Sequence, residues 1–223
     1  MCGRFALFSP EEILAAMFGV EGGGFPPPSY NIAPSRDVAV VRVAPEGAAR
    51  RELALLRWGL VPSWAKDPAM GNRMINARAE TAPDKPAFRS AFRRRRCLVP
   101  ADGFYEWRKA GTRKQPYYVR MADGKPFAFA ALWEVWKGPD GEIASCALLT
   151  TDPNDLLAPI HDRMPVIVPP GDYDRWLDPE RQDAAGLLPL LRPYAPGAMV
   201  AFPVRTLVNN PAADDPRCIE PAA

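Results

Sequence analysis

Residues 127–150 read FAFAALWEVWKGPDGEIASCALLT, and this stretch decides the fold class. Its two apolar runs, residues 127–133 and 143–150, are rich in strand-forming side chains and too short for typical helices. They predict two β-strands. Further strands are predicted at residues 38–43, 52–58, 117–121 and 199–204. The Asp123-Gly124 pair between two of these segments is typical of a hairpin turn.

Helices are expected to be short. Proline makes up 27 of 223 residues, about 12% against a usual share of about 5%, and proline breaks helix interiors. The clearest helix follows Ser9 as N-cap, with Pro10 at its first position, Glu12 completing a capping box and Gly19 at its end. Other short helices are predicted at residues 86–94, after Asp152-Pro153, at 172–177 and at 181–191.

These elements predict the architecture. The length suits one large domain, and neither an internal repeat nor a long linker divides the sequence. We therefore predict a single domain over residues 1–223 of the α+β class. Its mainly antiparallel, barrel-like β-sheet would carry short peripheral helices.

The composition excludes several classes of protein. The four cysteines form no CxxC pair and His161 is the single histidine, so we expect no metal and no cofactor. No charged segment followed by an apolar run opens the sequence, and no apolar run approaches about eighteen residues. We therefore expect no secretory signal and a cytoplasmic protein with reduced thiols and no membrane contact. The formal net charge of +2 requires any nucleic-acid surface to be a local basic patch.

The sequence Met1-Cys2-Gly3-Arg4 places a cysteine at the second position. If Met1 is removed, Cys2 carries a free α-amine and a thiol, with ordinary pKa values of about 7.7–8.0 and about 8.5. The amine can condense with an aldehyde to an imine, and the thiolate can then close a thiazolidine ring, an intramolecular step that is strongly favoured. On position alone, an unreactive cysteine near a chain terminus is the simpler interpretation.

Four further segments are too specific in composition to be scaffold alone. They are residues 30–34 (YNIAP), 58–64 (WGLVPSW) with 75–81 (INARAET), 100–107 (PADGFYEW) and 160–165 (IHDRMP). With the N-terminal MCGRF, they closely resemble the SRAP family of SOS-response-associated peptidases, also called abasic-site processing proteins. The resemblance extends to residues 208–209 and 218–221 and so covers essentially the whole chain. It implies a protein that crosslinks to abasic sites in single-stranded DNA and shields them.

The resemblance also assigns roles to single residues. Cys2 matches the crosslinking nucleophile, and Asn76 matches a residue that orients the Cys2 amine and the opened sugar. Glu106 matches a proton-transferring carboxylate, and His161 matches a histidine that assists opening of the sugar ring. The residues implied in binding DNA are Arg78 and Arg163 on phosphates, Arg4 as a third arginine, and Pro34, Trp64 and Thr150 along the groove.

Each chemical role has a physical reason and a structural alternative. Glu106 lies between Tyr105 and Trp107, where desolvation could raise its pKa, but it could equally be an outward residue of a strand. General acid–base help is worth about 10²–10⁴ in rate, yet His161 could instead be a structural histidine. Asn76 can hold an amine without protonating it, or it could be a turn residue.

Residues 89–96 (RSAFRRRR) form the strongest charge cluster. Arginines interleaved with Phe92 suit single-stranded DNA, where phosphates meet cations and bases stack on rings. The alternative is a solvated helix end, where arginines complement the helix dipole.

Two rival functions remain open. One is a cysteine-type peptidase limited to self-processing, with Cys2, His161 and Glu106 as its reactive groups. The other is a non-catalytic module that binds single-stranded DNA. The favoured prediction is a monomeric abasic-site crosslinker whose partner is single-stranded DNA and which, in a bacterium, would be associated with the nucleoid.

Overall fold

The computed structural model describes residues 2–21, 24–44, 50–111, 113–139 and 141–222. Within them, the β-strands are β1 (Phe5–Leu7), β2 (Ser29–Ile32), β3 (Asp37–Val43), β4 (Arg51–Trp58), β5 (Asn76–Arg78), β6 (Arg96–Ala101), β7 (Gly103–Ala110), β8 (Arg113–Met121), β9 (Phe127–Gly138), β10 (Gly141–Thr151), β11 (Met164–Pro165), β12 (Ile167–Val168) and β13 (Met199–Pro203). The α-helices are α1 (Glu11–Phe18), α2 (Arg89–Arg94), α3 (Tyr173–Leu177) and α4 (Ala184–Leu187). Short 3-10 turns occupy Pro68–Arg73, Pro170–Asp172, Leu188–Leu190, Pro196–Ala198, Thr206–Asn209 and Pro216–Ile219.

Five strands close into a barrel. β9 pairs with β10, β10 with β4, β4 with β3, β3 with β6, and β6 again with β9. All of these pairings are antiparallel except the one between β10 and β4. The two predicted runs in residues 127–150 form the long hairpin of β9 and β10, and the inward side chains of β9 are almost fully buried. The predicted α+β class with a mainly antiparallel, barrel-like sheet is confirmed.

A second, five-stranded antiparallel sheet packs beside the barrel in the order β13-β8-β7-β1-β2. The predicted hairpin at Asp123-Gly124 is wrong, because β8 belongs to this sheet whereas β9 belongs to the barrel. Gly124 does adopt a left-handed φ of 73°, as a tight turn requires. The turn therefore passes the chain from one sheet to the other, a choice that its local sequence does not encode.

The helices are few and short, as predicted, but two details differ. Ser9 does not cap α1, because Pro10 is its N-cap and the Ser9 hydroxyl bonds instead to the Asp102 carboxylate. The predicted helix after Asp152-Pro153 is wrong, since residues 155–160 form turns. Among the described residues, no helix is long and apolar enough to cross a membrane.

The short strand β1 joins the two sheets. It pairs with β7 and β2 in the second sheet, and its Phe5 ring contacts Trp58 and Phe129 of the barrel edge-on, with centroids 5.3 and 5.8 Å away. Aromatic pairs of this geometry stabilise beyond their buried area. The residues that precede β1 are consequently held at the junction between the sheets.

Candidate active site

Cys2 is held at the junction by its neighbours on both sheets. The Arg4 carbonyl accepts a 3.0 Å hydrogen bond from the Tyr105 amide, which extends the pairing of β1 with β7. From the barrel side, Asn76 donates through Nδ2 to the Cys2 carbonyl at 2.8 Å. Cys2 is fully buried, and burial, followed by the charge of Glu106, raises the pKa of its thiol well above the ordinary range. The thiol therefore needs a nearby base in order to react.

Asn76 is positioned by two of the motif segments. It lies on β5, where its partner is Leu148 of β10, so the alternative of a turn residue is wrong. Trp58 donates from its indole to the Ile75 carbonyl at 2.9 Å, which fixes the preceding residue. Asn76 Oδ1 is buried and has no hydrogen-bond partner within the described part of the chain. A buried amide oxygen without a partner is costly, so a ligand donor at this point would be stabilising.

Two glycines allow these segments to meet. Gly59 has φ 136°, in the region that favours glycine, and a Cβ there would lie 2.7 Å from the carbonyl oxygen of Gly71. The close approach brings residues 58–64 against the turn that leads into β5. The WGLVPSW segment thus supports Asn76 through the backbone.

Glu106 and His161 face each other beside Cys2. Glu106 is only 2% exposed, so the alternative of an outward strand residue is wrong. Its Oε2 lies 3.9 Å from Nε2 of His161, which comes from the loop before β11. Burial, with a smaller contribution from Asp162, raises the pKa of Glu106 to about 7. A carboxyl group with this pKa can both donate and accept a proton near neutral pH.

The orientation of the His161 ring is fixed from its other side. Nδ1 accepts a 3.0 Å hydrogen bond from the Arg163 amide, and Asp162 Oδ1 lies 2.9 Å from the same nitrogen. These two contacts hold one edge of the ring and leave Nε2 facing Glu106. Partial burial lowers the pKa of His161 despite the nearby Asp162. The neutral ring is therefore the main form at neutral pH.

The three arginines implied in phosphate binding have different surroundings. Arg78 is exposed and forms no ion pair within the described part of the chain. Arg163 bridges Glu80 and Asp152, at 2.9 and 2.8 Å, and its side chain is 13% exposed. It could reach a phosphate only by exchanging one of these carboxylates. Arg78 alone is available without rearrangement.

Arg4 is tied to the C-terminal segment. It donates through Nη1 to Asn31 Oδ1 at 2.6 Å and to the Val208 carbonyl at 2.9 Å. Asn31 in turn donates to the Ala213 carbonyl at 2.6 Å. Asp214 accepts from the Asn31 amide at 3.1 Å. The YNIAP segment therefore anchors the region that follows Cys2.

The three residues predicted to line the DNA groove also differ in their exposure. Trp64 is 55% exposed, as a stacking side chain must be, and Pro34 is half-buried next to Ser35, which has a left-handed φ of 70°. The side chain of Thr150 is fully buried, and its carbonyl accepts from Arg163 at 2.6 Å. The Thr150 side chain is therefore not accessible in this structure, whereas its backbone carbonyl holds the Arg163 guanidinium.

A cleft of about 440 Å³ opens beside Glu106 and His161. Its other lining residues are Trp107, Lys109, Lys114 and Asn209. The sequence reasoning did not single out these four side chains for a role. Trp107 and Asn209 lie inside the motif segments. Lys109 on β7 and Lys114 on β8 lie outside them, where only a run of basic residues indicates a role.

The basic segment of residues 89–96 combines exposed and buried side chains, since Arg89, Arg93 and Arg94 are exposed. Phe92 is fully buried and contacts Trp176 edge-on, so it cannot stack on a base. Arg95 pairs with Glu134 at 2.6 Å. Arg96 is 3% exposed and donates to four backbone carbonyls, those of Phe92, Arg93, Trp176 and Asp178. The helix-end interpretation is closer to the structure than the DNA-stacking one.

Comparison with known proteins agrees with these features. The family model for SOS response associated peptidase (SRAP) matches residues 1–211. Abasic site processing protein YoqW of Bacillus subtilis (strain 168) is 43% identical over 99% of both chains. Abasic site processing protein HMCES of Xenopus tropicalis is 31% identical, over 98% of this chain and 78% of its own length. A crystal structure of a protein from Bacteroides thetaiotaomicron superimposes over 100% of both chains, with a TM-score of 0.90 and 26% identity.

Proposed function

Because the chain belongs to the SOS response associated peptidase family, we propose that it processes abasic sites in single-stranded DNA by bonding to them covalently through Cys2. The observation that carries the proposal is the convergence on Cys2 of groups from distant parts of the chain. Asn76 donates to its carbonyl at 2.8 Å. The Glu106 carboxylate, close enough to raise the pKa of the Cys2 thiol, lies 3.9 Å from His161.

The first step is opening of the sugar. An abasic deoxyribose is mostly a closed hemiacetal, so its hydroxyl must lose a proton and its ring oxygen must gain one before the aldehyde appears. Neutral His161, whose pKa is lowered by burial, is suited to accept the hydroxyl proton. Glu106, with a pKa of about 7, is suited to supply a proton to the ring oxygen from its neutral form. His161 then returns the hydroxyl proton to Glu106, whose Oε2 lies 3.9 Å away, so that Glu106 is neutral again before the next step.

The second step joins the protein to the sugar. Once Met1, which lies outside the described residues, has been removed by hydrolysis, the Cys2 amine attacks the aldehyde carbon and forms a carbinolamine. Protonation of the hydroxyl by Glu106 releases water and leaves a protonated imine, together with the Glu106 carboxylate. Asn76 Oδ1, which is buried and has no partner among the described residues, is suited to orient the Cys2 amine by accepting a hydrogen bond from its N–H.

The third step closes the thiazolidine. The Cys2 sulfur adds to the imine carbon while the thiol proton passes to the Glu106 carboxylate that the previous step produced. The net change is the loss of one water for each crosslink, and Glu106 returns to its starting form. Ring closure consumes the imine, which would otherwise acidify the neighbouring sugar hydrogens and lead to β-elimination and strand cleavage.

The test is a denaturing gel of purified protein incubated with a single-stranded oligonucleotide that contains one abasic site. We expect the native protein to give a shifted band that resists heating, and we expect Cys2→Ala to abolish this band. Cys2→Ser should give a less stable adduct and more cleavage of the DNA strand. A tag left before Cys2 should prevent the shift without unfolding the protein.

Other outcomes favour the rival functions. Retention of the oligonucleotide only on a native gel indicates a binding module. Cleavage of casein without any shifted band indicates a general peptidase. Equal heat-stable crosslinking by Cys2→Ser would contradict the thiazolidine step.

A further inference from the structure

Two lysines face each other across the hairpin of β7 and β8. Lys109 and Lys114 are directly opposed in the antiparallel register, and both are exposed. Like charges directly opposite on neighbouring strands destabilise a sheet. Neither ammonium forms an ion pair with any residue that the structure describes. The pair is therefore a local cost to the fold that nothing described in the protein offsets.

The hairpin of β9 and β10 shows the ordinary arrangement. There Lys137 is directly opposite Glu142, and the two side chains form an ion pair at 2.6 Å. Both hairpins present a lysine near the tip, so the difference lies in the opposing residue. In the hairpin of β9 and β10 the opposing residue neutralises the lysine, whereas in the hairpin of β7 and β8 the opposing residue adds a second positive charge.

The two positively charged lysines lie beside the proposed reactive centre. Lys109 and Lys114 line the same cleft as Glu106 and His161, and the charge of Lys109 is close enough to act on the His161 ring. On the same cleft, Trp107 donates from its indole to Asn209 Oδ1 at 2.7 Å. That bond occupies the oxygen of Asn209, so its amide nitrogen is left to serve as a donor. Two ammonium groups and an amide donor form a set suited to an anion.

We propose that Lys109 and Lys114 bind a backbone phosphate of the nucleotide next to the abasic one. This subsite rests on the proposed function, since its ligand is the strand that carries the lesion. The phosphate relieves the repulsion between the two lysines and fixes the strand relative to Glu106 and His161. The cleft of about 440 Å³ is within the size range of sites that hold small ligands or parts of larger ones.

The test measures half-saturating DNA concentration and saturating crosslink rate for the variant Lys109→Gln/Lys114→Gln, at several salt concentrations. We expect the half-saturating concentration to rise about tenfold. The slope of log affinity against log salt should become shallower by roughly 0.7 for one lost phosphate contact on a single strand. Lys137→Gln is the matched control, because it removes a hairpin lysine on the barrel. It should leave the half-saturating DNA concentration and the salt slope unchanged.

A second measurement identifies the phosphate. Oligonucleotides with one neutral methylphosphonate at each position around the lesion are compared on the native protein and on the double variant. At one flanking position, the substitution should weaken the native protein about tenfold and the double variant hardly at all. Equal affinity and slope for the native protein and the double variant, or an equal loss in Lys137→Gln, would overturn the proposal.

Failure of the subsite and failure of the proposed function give different results. The native protein incubated with free 2-deoxyribose, which has no phosphate, should gain the mass of the sugar less one water. If that adduct forms while the lysine variants bind DNA normally, the subsite is wrong and the covalent chemistry stands. If the native protein forms no adduct with sugar or DNA, the proposed function fails.

Discussion

Glu106 and Arg96 are both buried ionisable side chains, and their surroundings differ in an instructive way. Arg96 donates to four backbone carbonyls, and burial lowers its pKa only to about 10, so it remains charged at neutral pH. Glu106 is buried at the edge of a cleft, and burial raises its pKa to about 7. The Arg96 guanidinium stays charged near neutral pH and connects several chain segments, whereas the Glu106 carboxyl group can gain or lose its proton near neutral pH. A buried group whose protonation state is fixed by its hydrogen-bond partners is suited to a structural role. A buried group whose pKa lies near the working pH is suited to proton transfer.

The largest expected effect is on the chemistry of Glu106. Glu106→Gln keeps the shape of the side chain but cannot transfer a proton, so the single-turnover crosslink rate should fall by about 10²–10⁴. The rate is measured from the band shift on denaturing gels at saturating DNA. Glu134→Gln is the matched control, because Glu134 is also buried but pairs with Arg95. Similar losses in the two variants would break the distinction between the two kinds of buried group.

The next effect is on the stability provided by Arg96. Arg96→Met should lower the free energy of unfolding by about 3 kcal/mol, because it leaves several buried carbonyls without donors. Urea unfolding measures the change. Arg94→Ala, at an exposed neighbour, should change stability by less than about 0.5 kcal/mol. The crosslink rate of folded Arg96→Met should stay within about twofold of the native rate, and a larger fall would give this region a direct role in the reaction.

A third prediction concerns pH. Folding raises the pKa of Glu106 from 4.5 to about 7, so the folded state holds the proton more tightly than the unfolded state. The stability contributed by this group is complete below about pH 4.5 and is lost as pH rises through 7. Between pH 5 and 8.5, the native protein should lose about 2–3 kcal/mol relative to Glu106→Gln. Parallel stability curves for the two proteins would show that Glu106 titrates normally.

The smallest effect extends the comparison to aromatic side chains. Trp64 is 55% exposed, whereas Phe92, the aromatic residue of the basic segment, is fully buried. If Trp64 stacks on a base, Trp64→Ala should weaken binding of single-stranded DNA by about 1–2 kcal/mol without changing the unfolding midpoint. Fluorescence anisotropy measures the affinity, and Leu55→Ala is a control at another exposed apolar residue. An equal change in affinity in both variants would show that Trp64 does not stack on a base of the bound DNA.

The sequence by itself determined the local features. Runs of strand-forming residues predicted the β9–β10 hairpin and most of the barrel, because alternating and buried apolar patterns are local. It missed β1 and β5, whose three residues carry too short a pattern, and it also missed the longer strands β6 and β7. The position of Cys2 and the motif residues around Asn76, Glu106 and His161 were sufficient to nominate the reactive groups.

Only the tertiary structure decided how those groups work. The Asp123-Gly124 turn crosses between sheets instead of closing a hairpin, and Phe92 enters the core instead of meeting a ligand. Cys2 reaches Asn76 and Glu106 because β1 is held between the sheets, and the pKa of Glu106 rises because the assembled fold excludes water from it. The sequence determines which side chains are available. Burial and contact depend on residues far apart in the chain, so they are decided only when the sheets pack together.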